Sequence, residues 1–322
     1  MRKGDSMMGF GEVLQDPVYQ TYVGIVGGAL LAVGLLLLVM KHFAGKNVDS
    51  VWRTYRSWLV MAPLVFVAMA GGRIVLILAI GALSLMGFKE FSRATGLYHD
   101  WYMTGAVYFG IACLIAVCLA TDPREQTPGW YGLFMVLPVY IVGLILFMPI
   151  LRNQYQGQLQ GIALAILGFI YLGWMFTHLA FLVNSPHATG YLLYLVFAVG
   201  LSDISAFTFG KLYGRHPLRN QISPNKTWQG SLGALGVSMA LPWLLHGSFP
   251  HFGPFQLVLT GMIVGIGGQL GDLSISTIKR DLAIKDMGSV IPGHGGVLDR
   301  VDSLIFVSPI FLHMIRWFYD LH

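Results

Sequence analysis

Long apolar runs alternate with short polar links along most of this chain. By run length, the apolar stretches are 22–41, 57–71, 73–89, 102–120, 129–150, 159–183, 190–211, 229–247, 255–278 and 303–320. The first contains GIVGGALLAVGLLLLVM (24–40), which carries no charge and ends at Lys41. A helix needs about 20 such residues to cross the hydrocarbon of a bilayer. The pattern therefore predicts an all-α polytopic membrane protein with about ten transmembrane helices. Asp5, Glu12 and Asp16 make the segment before the first run acidic, and no small-residue cleavage site follows it. The run is expected to be a retained span rather than a signal peptide. The second and third runs are short and are divided only by Gly71, Gly72 and Arg73, which leaves open a single bent hairpin.

Composition agrees with that pattern. Of 322 residues, 55% are hydrophobic and 11% charged, whereas a soluble domain carries about 25% charged residues. Cys113 and Cys118 share one apolar run without a CxxC spacing, which favours small core residues over a disulfide or a metal site. The basic residues give an orientation. With the N-terminus outside, only Arg2, Lys3, Arg73, Arg124 and Arg316 of the 20 Lys and Arg fall outside. The positive-inside rule then places the other basic links in the cytoplasm. Residues 1–190 read as N-terminal transmembrane helices. Residues 191–322 read as a C-terminal region of the same membrane unit, holding a cytoplasm-facing polar site.

Two polar stretches mark that site. The second reads GQLGDLSISTIKRDLAIKDMGSVIPGHGGVLDRVDSL (268–304). It holds Asp272, Asp281, Asp286, Asp299 and Asp302 together with Lys279, Arg280, Lys285 and Arg300. Each charge at a bilayer centre costs roughly 2.5–3.5 kcal/mol even on the lenient insertion scale. These groups therefore lie in water, or in a cavity where they pair or bind something charged. Asp272 interrupts an apolar run just after Gly267, Gly268 and Gly271, with Ser274 and Ser276 close by. A helix-end aspartate in interfacial water is the plainer account of it; an ionisable residue within a span favours function.

The turn PGHGG (292–296) can aim backbone N–H groups of Gly295 and Gly296 at an anion. Asp299 and Asp302, three apart, share a helix face. Acidic first turns also suit the helix dipole, yet the glycine turn, the histidine and the flanking cations call for more. Carboxylates among cations suit a hard metal such as Mg2+ held with phosphate oxygens. His294 is open to roles as base, metal ligand or turn-stabilising group, and no second His or Cys at ligand spacing supports zinc. The first polar stretch, LSDISAFTFGKLYGRHPLRNQISPNKTWQGSLGALG (201–236), contains Asp203 in an apolar helix and the hydroxyl-rich turn Ser223-Pro224-Asn225-Lys226-Thr227. Positive-inside topology accounts for several of its cations, and the turn can offer donors to a phosphate. A Walker loop is absent.

These residues resemble the phosphatidate cytidylyltransferase family, the CDP-diacylglycerol synthases. STIKRDLAIKDMGSVIPGHGGVLDRVD (276–302) fits the family signature at every specified position. Asp203, Ala206, Phe207, Gly210, Gly214 and ISPNKTWQG (222–230) are similar to its upstream pattern. Before residue 200 the likeness rests on hydropathy and on GFKEFSRATG (87–96). The resemblance implies that CTP and phosphatidic acid give CDP-diacylglycerol and pyrophosphate in phospholipid synthesis. It implies Mg2+ at Asp272 and Asp299, with K+ as a second cation. It assigns catalysis to Asp272, Asp299, Lys279, Arg280 and Lys285. Substrate binding falls to Asp203, Ser223, Lys226, Thr227, Asp286, His294, Gly295, Gly296, Arg300 and Asp302. Ile275 stands where the family has Glu, which is expected to remove a carboxylate beside the metals.

The expected location is a bacterial inner membrane, with the site facing the cytoplasm. The expected partners are CTP, a lipid phosphate and membrane lipids, with no nucleic acid; a homodimer is compatible with such a bundle. A paralogue acting on another lipid phosphate, or inactive, is the near alternative. A transporter using Asp203 and Asp272 for coupling is the distant one. It predicts polar breaks in both halves of the chain, whereas the polar clusters fall in the C-terminal half.

Overall fold

A computed structural model describes residues 11–42, 49–288 and 295–319. Each of the ten apolar runs becomes a helix. They are α1 Pro17–His42, α2 Asp49–Ala70, α3 Gly72–Ala94, α4 Trp101–Leu119 and α5 Tyr131–Leu151, followed by α6 Gln158–Leu182, α7 Ala188–Tyr213, α8 Trp228–Leu244, α9 Pro254–Asp281 and α10 Leu298–Tyr319. Among the described residues, eight of these are long and apolar enough to cross a membrane, against the roughly ten spans expected. In α2 the polar first turns leave only Tyr55–Ala70 as an apolar segment. α8 has 17 residues and so reaches only about 25 Å. A helix satisfies its own backbone hydrogen bonds in lipid, which is why apolar run length translates directly into helices here.

The link between α2 and α3 is a true break. Gly72 has φ +78°, a left-handed conformation that costs glycine little. Arg73, just past it, donates to Asn184 Oδ1 at 2.6 Å and to the carbonyls of Cys118 and Leu119 at 2.9 and 3.0 Å. It thereby satisfies orphan carbonyls at the end of α4. Cys113 and Cys118 are free thiols. α1 leans on the bundle through Tyr22, whose hydroxyl lies 2.9 Å from Ser248 Oγ, and it accepts from Tyr55 at the Leu30 carbonyl. Most of its length remains on the surface, as suits a lipid-facing helix.

The two halves of the chain share one core. Ser308 on α10 donates to the Met175 carbonyl, and Tyr171 on α6 donates to the Gly271 carbonyl at 3.3 Å. α6 and α9 each contain a π-helical stretch, Phe169–Met175 and Ile263–Gly267. Such wide turns re-aim the residues that follow them, and the second lies immediately before the polar turn of α9. β1 (Pro217–Arg219) and β2 (Ser223–Thr227) form a small antiparallel hairpin between α7 and α8, pairing Pro217 with Thr227 and Arg219 with Ser223.

Candidate active site

The site lies where the ends of α7, α9 and α10 meet the β1–β2 hairpin. α8 starts from this hairpin, with Thr227 as its N-cap: the hydroxyl accepts from Gly230 N at 3.2 Å. Gly230 lies so close to the Ala206 carbonyl of α7 that no side chain would fit between them. The hairpin is therefore fixed against α7, and Lys226 reaches across to α9. Its Nζ is 2.5 Å from Asp272 Oδ2. Ser276, one helical turn beyond Asp272, donates to Oδ1 at 3.2 Å.

A second pair lies one turn further along. Lys279 Nζ contacts Asp299 Oδ1 at 2.8 Å, with only 12% and 4% of the two side chains exposed. Asp299 Oδ2 accepts the backbone N–H groups of Met287 and Gly296, at 2.9 and 3.0 Å. Asp302, 7% exposed, accepts from Ser303 N at 2.8 Å and lies within electrostatic reach of Asp272, Asp203 and Lys279. Asp203 stays accessible and is within reach of Asp272, Lys226 and Arg300. Gly271 is pressed against the Asp302 backbone, where a Cβ would have no room, so α9 and α10 meet at van der Waals contact beside the carboxylates.

Most of the sequence-predicted residues gather at this end of the molecule. Arg280 donates through Nε to the Ile222 carbonyl at 3.2 Å, tying α9 to the hairpin. Ser223 lies half-buried in β2. Lys285, Asp286 and Arg300 are exposed around the site. His294 lies outside the described residues. Gly295 takes φ +83° beside Asp286 and Asp299. Ile275 is fully buried in the apolar core, while Asp272 and Ser276 on the same helix meet at the site. In this backbone the side chain at position 275 points into packed apolar surroundings.

Carboxylate oxygens suit a hard cation by their chemistry, and Asp272, Asp203 and Asp302 lie within electrostatic reach of one another. Among the described residues no group of three or more His, Cys, Asp or Glu is already arranged around a common metal position. Asp272 shares its carboxylate with Lys226 and Ser276. Asp299 has three of about four lone-pair sites engaged, which leaves it one for a further ligand.

Two residues of the N-terminal half reach the site and were not predicted to. Tyr171 approaches from the π-helical stretch of α6. Glu90 on α3 is 7% exposed, and its two carboxylate oxygens accept from Val297 N and Leu298 N at 2.9 Å each. The one sequence signal for Glu90 is an acid inside GFKEFSRATG, an otherwise apolar helix end.

Comparison with known proteins identifies the family. Residues 52–318 match the model of the Cytidylyltransferase family. The chain is 30% identical over 262 residues to a phosphatidate cytidylyltransferase of Staphylococcus aureus (strain COL), a match covering 80% of this chain and 96% of that protein. It is 33% identical over 203 residues to one of Staphylococcus haemolyticus (strain JCSC1435), covering 62% and 76%. It is also 37% identical over 158 residues to the uncharacterized protein YnbB of Escherichia coli (strain K12), covering 46% of this chain and about half (53%) of that protein. α1 precedes the region that the family model matches. The family model over most of the chain and these relatives establish that the chain belongs to the cytidylyltransferase family of CTP-dependent nucleotidyltransferases.

Proposed function

We propose that the protein transfers CMP from CTP to phosphatidic acid, giving CDP-diacylglycerol and pyrophosphate. The observation that carries this reading is the pairing Lys226–Asp272 and Lys279–Asp299 at one end of a lipid-embedded bundle. A water-soluble triphosphate and a bilayer-anchored phosphate can meet only at such a boundary. The named relatives that cover most of their own length support the acceptor.

No protein nucleophile is required. An oxygen of the lipid phosphomonoester forms a bond to the α-phosphorus of CTP. The bridging α–β P–O bond breaks, and its electron pair leaves with pyrophosphate. The barrier lies in bringing two anions together in line. Lys226, Lys279 and Arg300 supply positive charge that lessens their repulsion, and Lys226 and Lys279 are held in place by carboxylates. Asp272, with Asp203 and Asp302 nearby and Asp299 at the adjoining pair, would hold Mg2+, with K+ as a second cation. When bound, the divalent ion supplies charge neutralisation on the phosphates. The site is read as facing the cytoplasm of a bacterial inner membrane, in line with the basic links on that side.

The test uses purified full-length protein in detergent with labelled CTP, Mg2+ and phosphatidic acid. Labelled CDP-diacylglycerol that requires both Mg2+ and the lipid supports the reading. CTP turnover only with a different lipid phosphate would replace the acceptor. Substrate counterflow without nucleotide chemistry would restore the transporter.

A further inference from the structure

We propose that Glu90 is a positioning residue of the transfer site: it holds the start of α10, packs against Gly288 beyond α9, and so sets where Asp299 and Asp302 stand. The proposal rests on the reading of this site as a cytidylyltransferase centre. Glu90 belongs to α3, 207 positions before Val297, so it is not a local cap. Its carboxylate fills the start of α10 by taking the N–H groups of Val297 and Leu298. It is also wedged between Gly288 and Gly296, and a Cβ at either glycine would collide with a Glu90 oxygen. Gly288 follows α9 and Gly296 precedes α10, and their lack of side chains is what admits the carboxylate.

The arrangement has a chemical consequence. The start of a helix ordinarily attracts phosphate through its free N–H groups. Here the N–H groups of 297 and 298 are given to Glu90, and that of 296 to Asp299. With these N–H groups taken, nucleotide phosphates are left mainly to the side-chain cations. Glu90 takes the place of an anion and fixes the helix from which Asp299 and Asp302 project. A charged acceptor at a helix start is favoured by both the dipole and the charge-assisted hydrogen bonds. An N-terminal helix is in this way coupled to C-terminal chemistry.

The experiment compares wild type with Glu90→Gln and Glu90→Ala in the full chain. It measures amide exchange at Met287, Gly296, Val297 and Leu298, thermal melting, and kcat and KM for CTP with phosphatidic acid. The expected result for Glu90→Ala is faster exchange at all four amides and a kcat reduced by about 10²-fold, the scale of a small misplacement of reacting groups. KM for CTP should change far less, because Lys226–Asp272 is untouched. Glu90→Gln keeps one acceptor oxygen and should recover part of the loss. Gly296→Ala retains the carboxylate but displaces it, and should reproduce the kinetic signature if Glu90→Ala does not fold.

Normal kcat in variants whose 297 and 298 amides exchange freely would overturn the proposal. So would a loss of kcat with all four amides still protected. Wild-type protein inactive on phosphatidic acid, with the expected exchange pattern in the variants, would reject the acceptor and leave the clamp standing.

Discussion

α7 and α10 each run through the bundle, and their two ends are built from opposite chemistry. At one end α7 carries Asp203, and α10 carries Asp299 and Asp302, among Lys226, Lys279 and Arg300. At the other end α7 carries Tyr191 and α10 carries Tyr319, which close around His251. The Tyr191 hydroxyl and His251 Nε2 are 2.7 Å apart, His187 stacks on His251 with ring centroids at 4.4 Å, and Tyr319 donates to the His251 carbonyl at 3.2 Å. Phe252 and Tyr319 stack at 5.2 Å. The aromatic end is joined by neutral hydrogen bonds from Tyr191 and Tyr319 to His251, each with a net worth of about 0.5–1.5 kcal/mol. The charged end holds the Lys279–Asp299 pair in a poorly solvated place, where removing one partner costs about 3–5 kcal/mol. The same two helices thus carry a neutral closure and a reactive opening, and only the second is suited to binding anions.

Substitutions can break that contrast. The largest effect is expected at Asp272. Asp272→Asn should lower CTP turnover by about 10²-fold or more while the melt stays cooperative; full activity would remove it from the metal set. Lys279→Met leaves the almost buried Asp299 without its cation. It should cost both activity and roughly 3–5 kcal/mol of stability, read from kinetics and detergent melts. Gly271→Ala drives a methyl group into the Asp302 backbone, with about 1–3 kcal/mol lost to overpacking and a fall in activity. At the aromatic end Tyr319→Phe removes a single hydrogen bond, so stability should drop by about 1 kcal/mol with CTP turnover unchanged.

A pH series sharpens the same comparison. Burial, and after it the neighbouring His187, pushes the His251 pKa down from 6.5 to about 4. The unfolded imidazole takes up a proton near pH 6.5, whereas the folded one resists until about pH 4. This group's share of stability is therefore present above pH 6.5 and is lost as the pH falls toward 4. Melting temperatures should decline over that window, and His251→Gln should flatten the decline. An equal decline in both proteins would place the sensitive group elsewhere.

The helices were legible because lipid permits little else of an apolar run. Residues as far apart as Asp203, Lys226, Asp272 and Asp302 could be selected from sequence because charge is so costly beside apolar runs. The sequence pattern was less able to weigh α2 and α8, whose length and polar ends decide whether they span. It also did not reveal the direction of Ile275, because one helical position faces the core and the next the site, and the choice is made by packing.

What the sequence by itself determined is the class of molecule, the ten helical segments and the family, through run length, charge scarcity and the signature from Ser276 to Asp302. What only the tertiary structure decided is who holds whom. Lys226 pairs with Asp272, Lys279 pairs with Asp299, and Glu90 crosses from α3 to the start of α10. The physical reason is that hydropathy and helix propensity act over neighbouring residues, whereas an ion pair or a buried carboxylate depends on which distant backbone the packing brings within about 3 Å.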